Sequence, residues 1–244
     1  MQILIFGNHS FPDLSFDMSP SRGFRVMCKN NFVLDYEGLD KTVTWKDLLV
    51  ERTEPSVCGY SEKLIPFPMN HWEKAWDRLK KKLLQVTQSK GEKTLLELYF
   101  EASERSLVSN TKRSALEFCN WPALIPQAWV NWIHYEPRDK ERALRQKKEP
   151  FRVDFAMFRE SRRIVIEVDG SSHFSEILDI DPQSDRIKFE PSLEKYTEHL
   201  KKDRWLRKQG WEVWRFSDLE LISQENDPAI KDILAEMDLH DLFW

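Results

Sequence analysis

The apolar positions change period along the chain, and the changes predict the elements. From residue 70 the pattern is helical. Trp72, Trp76, Leu79 and Leu83 recur at i, i+4, i+7 and i+11, the spacing of one buried helix face. QSKGEK (88–93) predicts a break, and TLLELYFEASERSL (94–107) a second helix. There Leu95, Leu96, Tyr99, Phe100 and Ala102 form the inner side and leave Glu97, Glu101 and Glu104 to solvent. QAWVNWIHYE (127–136) reads as a strand, followed by a polar stretch at 138–149. FRVDFAMF (151–158) and IVIEVDG (164–170) read as two more strands joined by a turn at RESRR. After a polar insertion, 193–209 predicts a helix stopped by Gly210. WEVWRF (211–216) is a strand, and Asp227-Pro228 opens a last helix. Residues 1–65 mix short apolar runs with turn chemistry. They read as a small, mostly β segment with one short helix near TWKDLLVER, capped by Thr44. The expected fold is α/β with an α-β-β-β-α-β core. Residues 1–90 form a smaller accessory region of mixed β/α, and residues 91–244 the main domain.

The strands at 151–158 and 164–170 carry the candidate chemistry. A hairpin turning at Glu160-Ser161 pairs residues whose numbers sum to the same value and sets Asp154 opposite Glu167, with Cβ atoms roughly 5 Å apart. Period two puts Val153, Phe155, Met157, Ile164, Ile166 and Val168 on one apolar face, and Arg152, Asp154, Val165, Glu167 and Asp169 on the other. Three carboxylates on one patch repel each other. A bound cation relieves that repulsion, as does a raised pKa at one member. Oxygen ligands with open water positions suit Mg²⁺, with Mn²⁺ as substitute. The competing reading is a solvated outer face on an edge hairpin, where acidic residues are ordinary.

Composition narrows the setting. The chain has 244 residues, 37 Lys+Arg and 41 Asp+Glu, for a net charge of -4, which excludes a globally basic nucleic-acid coat but leaves room for a local basic groove. No apolar run approaches the roughly 18 residues of a membrane span, and the N-terminus lacks a basic signal-peptide region. Three cysteines (Cys28, Cys58, Cys119) without CxxC spacing point to a reducing, cytoplasmic compartment. The charge pattern offers Arg162 and Arg163 at the hairpin turn, and Lys201, Lys202, Arg204, Arg207 and Lys208 on the 193–209 helix. A crowded basic run fills 138–149. These groups suit phosphate contacts, against the alternative of a salt-bridged solvent face. By spacing, most of the ten tryptophans are core residues. No GxSxG, P-loop, GxGxxG or HExxH is present.

The order of motifs resembles the restriction-endonuclease-like PD-(D/E)XK nuclease superfamily, most of all its small bacterial branch related to very-short-patch-repair endonucleases. The matching pieces are Glu97 on a helix, Pro126-Gln127, Arg152-Val153-Asp154-Phe155, and Glu167-Val168-Asp169-Gly170 with His173. Leu206 to Gly210-Trp211 and Val213-Trp214-Arg215-Phe216 complete the set. The resemblance covers about 94–218. It implies a Mg²⁺-dependent endodeoxyribonuclease, a cutter or nickase of DNA in bacterial repair or defence against foreign DNA. Asp154 is then the central metal ligand, Glu167 the second, the Val168 carbonyl a third and Glu97 an outer one. Asp169 stands where the superfamily has a lysine, so the positive charge must come from elsewhere.

On the 193–209 helix, at about 100° per residue, Tyr196, Leu200 and Leu206 share an arc with His199 and Asp203. Lys202 lies on its rim while Lys201 points away. Lys202 is therefore the candidate for reaching the carboxylates; His173 is a candidate general base or hydrogen-bond donor to the scissile phosphate, and Asp169 and His173 are candidates for orienting water. Arg152, Arg162, Arg163, Lys201 and Arg204 are the candidate DNA contacts. The missing lysine keeps open a non-catalytic nucleic-acid-binding module. A regulatory subunit of a repair or defence complex, meeting a protein partner through the N-terminal region, is a further alternative.

Overall fold

The computed structural model describes residues 2–7, 12–19, 23–29, 31–36, 41–49, 72–109, 121–130, 152–181, 186–222 and 228–237. Cys58, Cys119, Trp132 and the basic stretch 138–149 lie outside the described residues. The strands are β1 (Gln2–Phe6), β2 (Leu14–Ser19), β3 (Gly23–Cys28), β4 (Phe32–Tyr36), β5 (Ile125–Trp129), β6 (Arg152–Arg159), β7 (Arg162–Asp169), β8 (Ser175–Asp181), β9 (Arg186–Pro191) and β10 (Glu212–Ser217). The helices are α1 (Trp45–Leu49), α2 (Trp72–Val86), α3 (Lys90–Ser109), α4 (Leu193–Lys208), α5 (Asp218–Ile222) and α6 (Pro228–Glu236).

The hairpin β6–β7 turns at Glu160-Ser161 as its pattern predicts, with Arg159 paired to Arg162, Met157 to Ile164 and Phe155 to Ile166. Glu160 takes a left-handed φ of 51° at the turn, and its N–H donates to Thr42 Oγ1 at 3.0 Å. The hairpin is central, not an edge. Six strands run in the order β10-β7-β6-β5-β1-β4, with β10 parallel to β7 and every other neighbour antiparallel. The protein is thus α/β with a mixed sheet. β2–β3 and β8–β9 form separate two-stranded sheets.

Both faces of the hairpin are covered. Val153, Phe155, Met157, Ile164, Ile166 and Val168 are buried on one face, and Ala156, Phe158 and Val165 on the other. The solvated-edge reading fails for that reason. Strands β1 and β4, from the first forty residues, extend the same sheet beyond β5. Trp45 joins the same core, stacked among Trp76, Tyr99 and Phe100 at centroid distances of 5.1–5.9 Å. Sheet and core therefore both cross the boundary expected near residue 90. Among the described residues no helix is long and apolar enough to cross a membrane.

Three local expectations change. The helix expected over 94–107 begins at Lys90, because Ser89 and Glu92 form a reciprocal capping box: Glu92 N donates to Ser89 Oγ at 3.0 Å and Ser89 N to Glu92 Oε1 at 3.3 Å. The strand expected over 127–136 is Ile125–Trp129, with 131–136 outside the described residues. The polar insertion before α4 contains the hairpin β8–β9. The expected stop holds: Gly210 has a φ of 81°, and a Cβ there would meet the Arg163 guanidinium at 2.8 Å. On α4, Leu206 is buried as the arc requires, but Tyr196 and Leu200 are exposed.

Candidate active site

A row of polar residues crosses four strands of the sheet. The pairs Pro126–Phe155 and Ala128–Val153 place Gln127 opposite Asp154. Continuing the β6–β7 register one step beyond Phe155–Ile166 places Asp154 opposite Glu167, and Glu167 pairs directly with Arg215 on β10. Asp154 is 6% exposed and Glu167 1%. The Val168 N–H donates to Asp154 Oδ2 at 2.8 Å. Burial pushes the Asp154 carboxyl above its ordinary range, and the neighbouring Glu92 charge adds to the rise. Burial likewise raises Glu167, against the pull of Lys202.

Lys202 comes down from α4 and sets its Nζ 2.7 Å from Glu167 Oε1, an ion pair not aligned as a hydrogen bond. Lys201, one residue earlier, is exposed and pairs with Glu198 at 2.8 Å. The helical arc thus separates the two lysines as the spacing predicts.

The buried acidic residue of α3 is Glu92, hydrogen-bonded to Gln127 opposite Asp154, whereas Glu97, given the outer place by the resemblance, faces solvent. Glu97 has a side chain 46% exposed and lies 3.8 Å from Lys93. Glu92 is 3% exposed. Its Oε2 accepts from Gln88 N at 2.9 Å and from Gln127 Nε2 at 2.8 Å. Burial raises its pKa, and the donated hydrogen bonds oppose the rise. The S-x-x-E spacing of Ser89–Glu92 was a readable signal for a helix start, and the helix start is what carries Glu92 inward.

Asp169 does not share the carboxylate pocket on equal terms. Arg215 Nη1 donates to both of its oxygens, at 2.7 and 2.8 Å, and His173 Nδ1 lies 3.1 Å away. Burial alone would raise the Asp169 pKa, but the hydrogen bonds from His173 and Arg215 outweigh it and hold the carboxyl at about 2. The same guanidinium reaches Asp203 at 2.8 Å and His199 Nδ1 at 3.2 Å. The hydrogen bond to Asp169 lifts the His173 pKa, whereas burial and then Arg215 depress that of His199. Arg215, quoted only as part of a strand in the sequence, is the positive charge that answers Asp169.

Two groupings invite a cation. One ligand atom each from Asp169, His173 and His199 lie within 4.8 Å of one another. Arg215 already supplies a fixed positive charge to two of the three, so that trio is internally compensated. Asp154 and Glu167 fit a divalent ion better. They are buried hard oxygen donors, and of their oxygens Glu167 Oε1 is paired with Lys202 and Asp154 Oδ2 with the Val168 N–H.

The pair opens to a cleft of about 500 Å³ lined also by Arg152, His173, Glu176, Glu194, Lys195, Glu198, His199 and Lys202. Five carboxylates face three Lys/Arg side chains there, so the bare cleft repels a polyanion. Of the candidate DNA contacts, Arg152 lines the cleft and Lys201 and Arg204 are exposed on α4. Arg162 and Arg163 are a correction. They lie at the turn, about 17 Å (Arg162) and about 14 Å (Arg163) along the strand from Glu167. Arg162 binds Glu212 at 2.7 Å and the Met237 carbonyl, and Arg163 donates to the Gln209 carbonyl at 2.8 Å and covers the Trp211 ring. Their charges tie the hairpin to β10 and to the C-terminal ends of α4 and α6.

Fold and site together define an α/β protein with a buried carboxylate pair, a lysine on it and an open cleft above. Comparison with known proteins returned no matching family model, no matching curated protein and no matching solved structure.

Proposed function

We propose that this protein is a divalent-cation-dependent endonuclease that hydrolyses phosphodiester bonds in DNA, built on the PD-(D/E)XK plan. The observation that carries the reading is the buried Asp154–Glu167 pair on the central hairpin, with Lys202 at 2.7 Å and a cleft above it. The element order α3, β5, β6, β7, α4, β10 supports it as well, with β8–β9 as an insertion.

Asp154, Glu167 and the Val168 carbonyl would hold Mg²⁺ or Mn²⁺, with Glu92 in the outer place first given to Glu97. When bound, the ion would neutralise phosphoryl charge, acidify water and offset the acidic character of the cleft. Attack is in line: as the bond from the water oxygen to phosphorus forms, the bond from phosphorus to the leaving oxygen breaks, the water's proton passes to solvent and the leaving oxygen takes a proton from solvent. Lys202 meets the negative charge that develops on the phosphoryl oxygens. His173, whose pKa the hydrogen bond to Asp169 raises, donates a hydrogen bond to the scissile phosphate. Asp169 is a positioning residue, fixed by Arg215. Arg152, Lys201 and Arg204 contact the backbone, so affinity falls steeply with salt. Bacterial DNA repair or defence against foreign DNA is the setting that the motif resemblance suggests.

The test is conversion of supercoiled plasmid with Mg²⁺, Mn²⁺ or EDTA, beside an Asp154→Ala, Glu167→Ala double variant. Metal-dependent nicked or linear product that disappears in the variant is expected. Cleavage that survives in the variant, or no cleavage with either metal, would overturn the mechanism.

A further inference from the structure

Gln127 has no task in the scheme above, and its surroundings are unusual. It is fully buried, opposite Asp154, with a backbone φ of 53°. A side chain with a Cβ holds that left-handed conformation only under strain, and such strain persists where the surrounding structure imposes it. Its Nε2 donates to Glu92 Oε2 at 2.8 Å. Its Oε1 is buried and has no hydrogen-bond partner among the described residues.

Glu92 does not need Gln127 to cap α3. The backbone N–H groups of Gln88 and Ser89 already satisfy that role, at 2.9 and 3.3 Å. The third donor comes from a neighbouring strand, at a strained position, with one amide atom left over. Its effect is to fix the Glu92 carboxylate against the residue that faces Asp154 across β5–β6. An acidic side chain held in one orientation beside a cation site raises affinity, because less of it must be ordered on binding.

We propose that Gln127 is a positioning residue of the carboxylate site. Acting through Glu92, it locks a third carboxylate beside Asp154 and so sets the affinity for the divalent cation. This rests on the metal-dependent reading above.

Mn²⁺ binding to the full chain, measured by titration calorimetry, tests it without reference to cleavage. Gln127→Asn is the informative variant. Asparagine tolerates a left-handed backbone and keeps an amide, but falls one methylene short of Glu92. Gln127→Met, similar in length and unable to donate, repeats the measurement. Both are compared with Glu92→Gln, with the Gln127→Asn, Glu92→Gln double variant, and with Asp154→Asn.

Asp154→Asn is expected to abolish binding. Each Gln127 variant should weaken it by about tenfold, the low end for a group behind a metal ligand. The double variant should bind no more weakly than Glu92→Gln alone, since Gln127 works through that residue. A Gln127 variant that melts earlier yet binds Mn²⁺ within about twofold of wild type would mark a merely structural contact and overturn the proposal. So would losses that multiply in the double variant. Wild-type protein that binds no Mn²⁺, or binds it regardless of Asp154, would instead overturn the metal-centre reading, and this inference with it.

Discussion

Lys202 Nζ lies 2.7 Å from Glu167 Oε1, joining α4 to the central sheet at the floor of the cleft. The lysine is partly exposed and the glutamate is not, so removing the lysine strands a buried charge. Burial holds the folded-state Glu167 pKa above its unfolded value, with Lys202 opposing the rise. Ionised Glu167 is therefore unfavourable once pH rises through that folded pKa, and more so without Lys202. Lys202→Met should cost about 3 kcal/mol at pH 8 and clearly less at pH 5, where Glu167 can protonate. Urea denaturation at the two pH values measures the difference. Adding Glu167→Gln should recover most of the loss at pH 8.

Asp154 makes a related prediction with the opposite sign for stability. Its pKa is raised by burial and then by the Glu92 charge. Stability from this carboxyl is present below its unfolded pKa and lost as pH rises through the folded one. At pH 8, without divalent ions, Asp154→Asn should melt a few degrees higher than wild type, with a gain of about 1–2 kcal/mol from removing a buried charge. Mg²⁺ or Mn²⁺ should raise the wild-type melting temperature and leave the variant unmoved. Thermal melts with and without metal decide it.

The Arg215 contacts set behaviour at acid pH. Hydrogen bonds from His173 and Arg215, overcoming burial, hold the Asp169 pKa at about 2. A depressed carboxyl contributes stability above its unfolded pKa of about 3.9 and loses it as pH falls through the folded value. Asp169→Asn should therefore cost about 2 kcal/mol at pH 7. The gap to wild type should close between about pH 4 and 2. Denaturant titrations across that window would show parallel curves instead if the ion pair contributed nothing.

Glu92 and Glu97 separate in a single assay. Glu92→Gln should lower plasmid cleavage by about tenfold or more at limiting Mg²⁺. Glu97→Gln, on the solvent side of α3, should stay within about twofold. Equal effects of the two changes would contradict the placement of Glu92 beside Asp154.

Gly91 is where α3 presses on its neighbours. Its N–H donates to Asp218 Oδ1 at 2.7 Å, and a Cβ would collide with that same oxygen and come within 3.0 Å of Val168 Cγ1. Gly91→Ala should destabilise by about 1–3 kcal/mol despite the better helix propensity of alanine. Val168 follows Glu167 directly, so activity should fall along with melting temperature.

How much of this was legible depended on whether the relevant physics was local. The hairpin register followed from alternation and from a two-residue turn, because period two and a known turn centre leave no freedom in which residues face each other. The choice of Lys202 over Lys201 followed from helical rotation alone. The start of α3 was equally local: the break expected over 88–93 is confined to 87–89, because Ser89–Glu92 spell a capping box that starts the helix at Lys90.

What the sequence by itself determined was a set of faces: an apolar side and a carboxylate side of one hairpin, an inner and an outer side of each helix. Periodicity encodes which residues share a side, and nothing about what will cover it. Only the tertiary structure decided that both sides of the hairpin are buried, which turns Asp154 and Glu167 from ordinary acids into a strained pair. It alone brought Glu92 and Gln127 to Asp154, set Arg215 on Asp169, and committed Arg162 and Arg163 to packing. Each of those contacts joins residues 35 to 75 positions apart in sequence or rests on the order of strands across the sheet. Charge and burial at such contacts are properties of the assembled sheet, and no local pattern carries them.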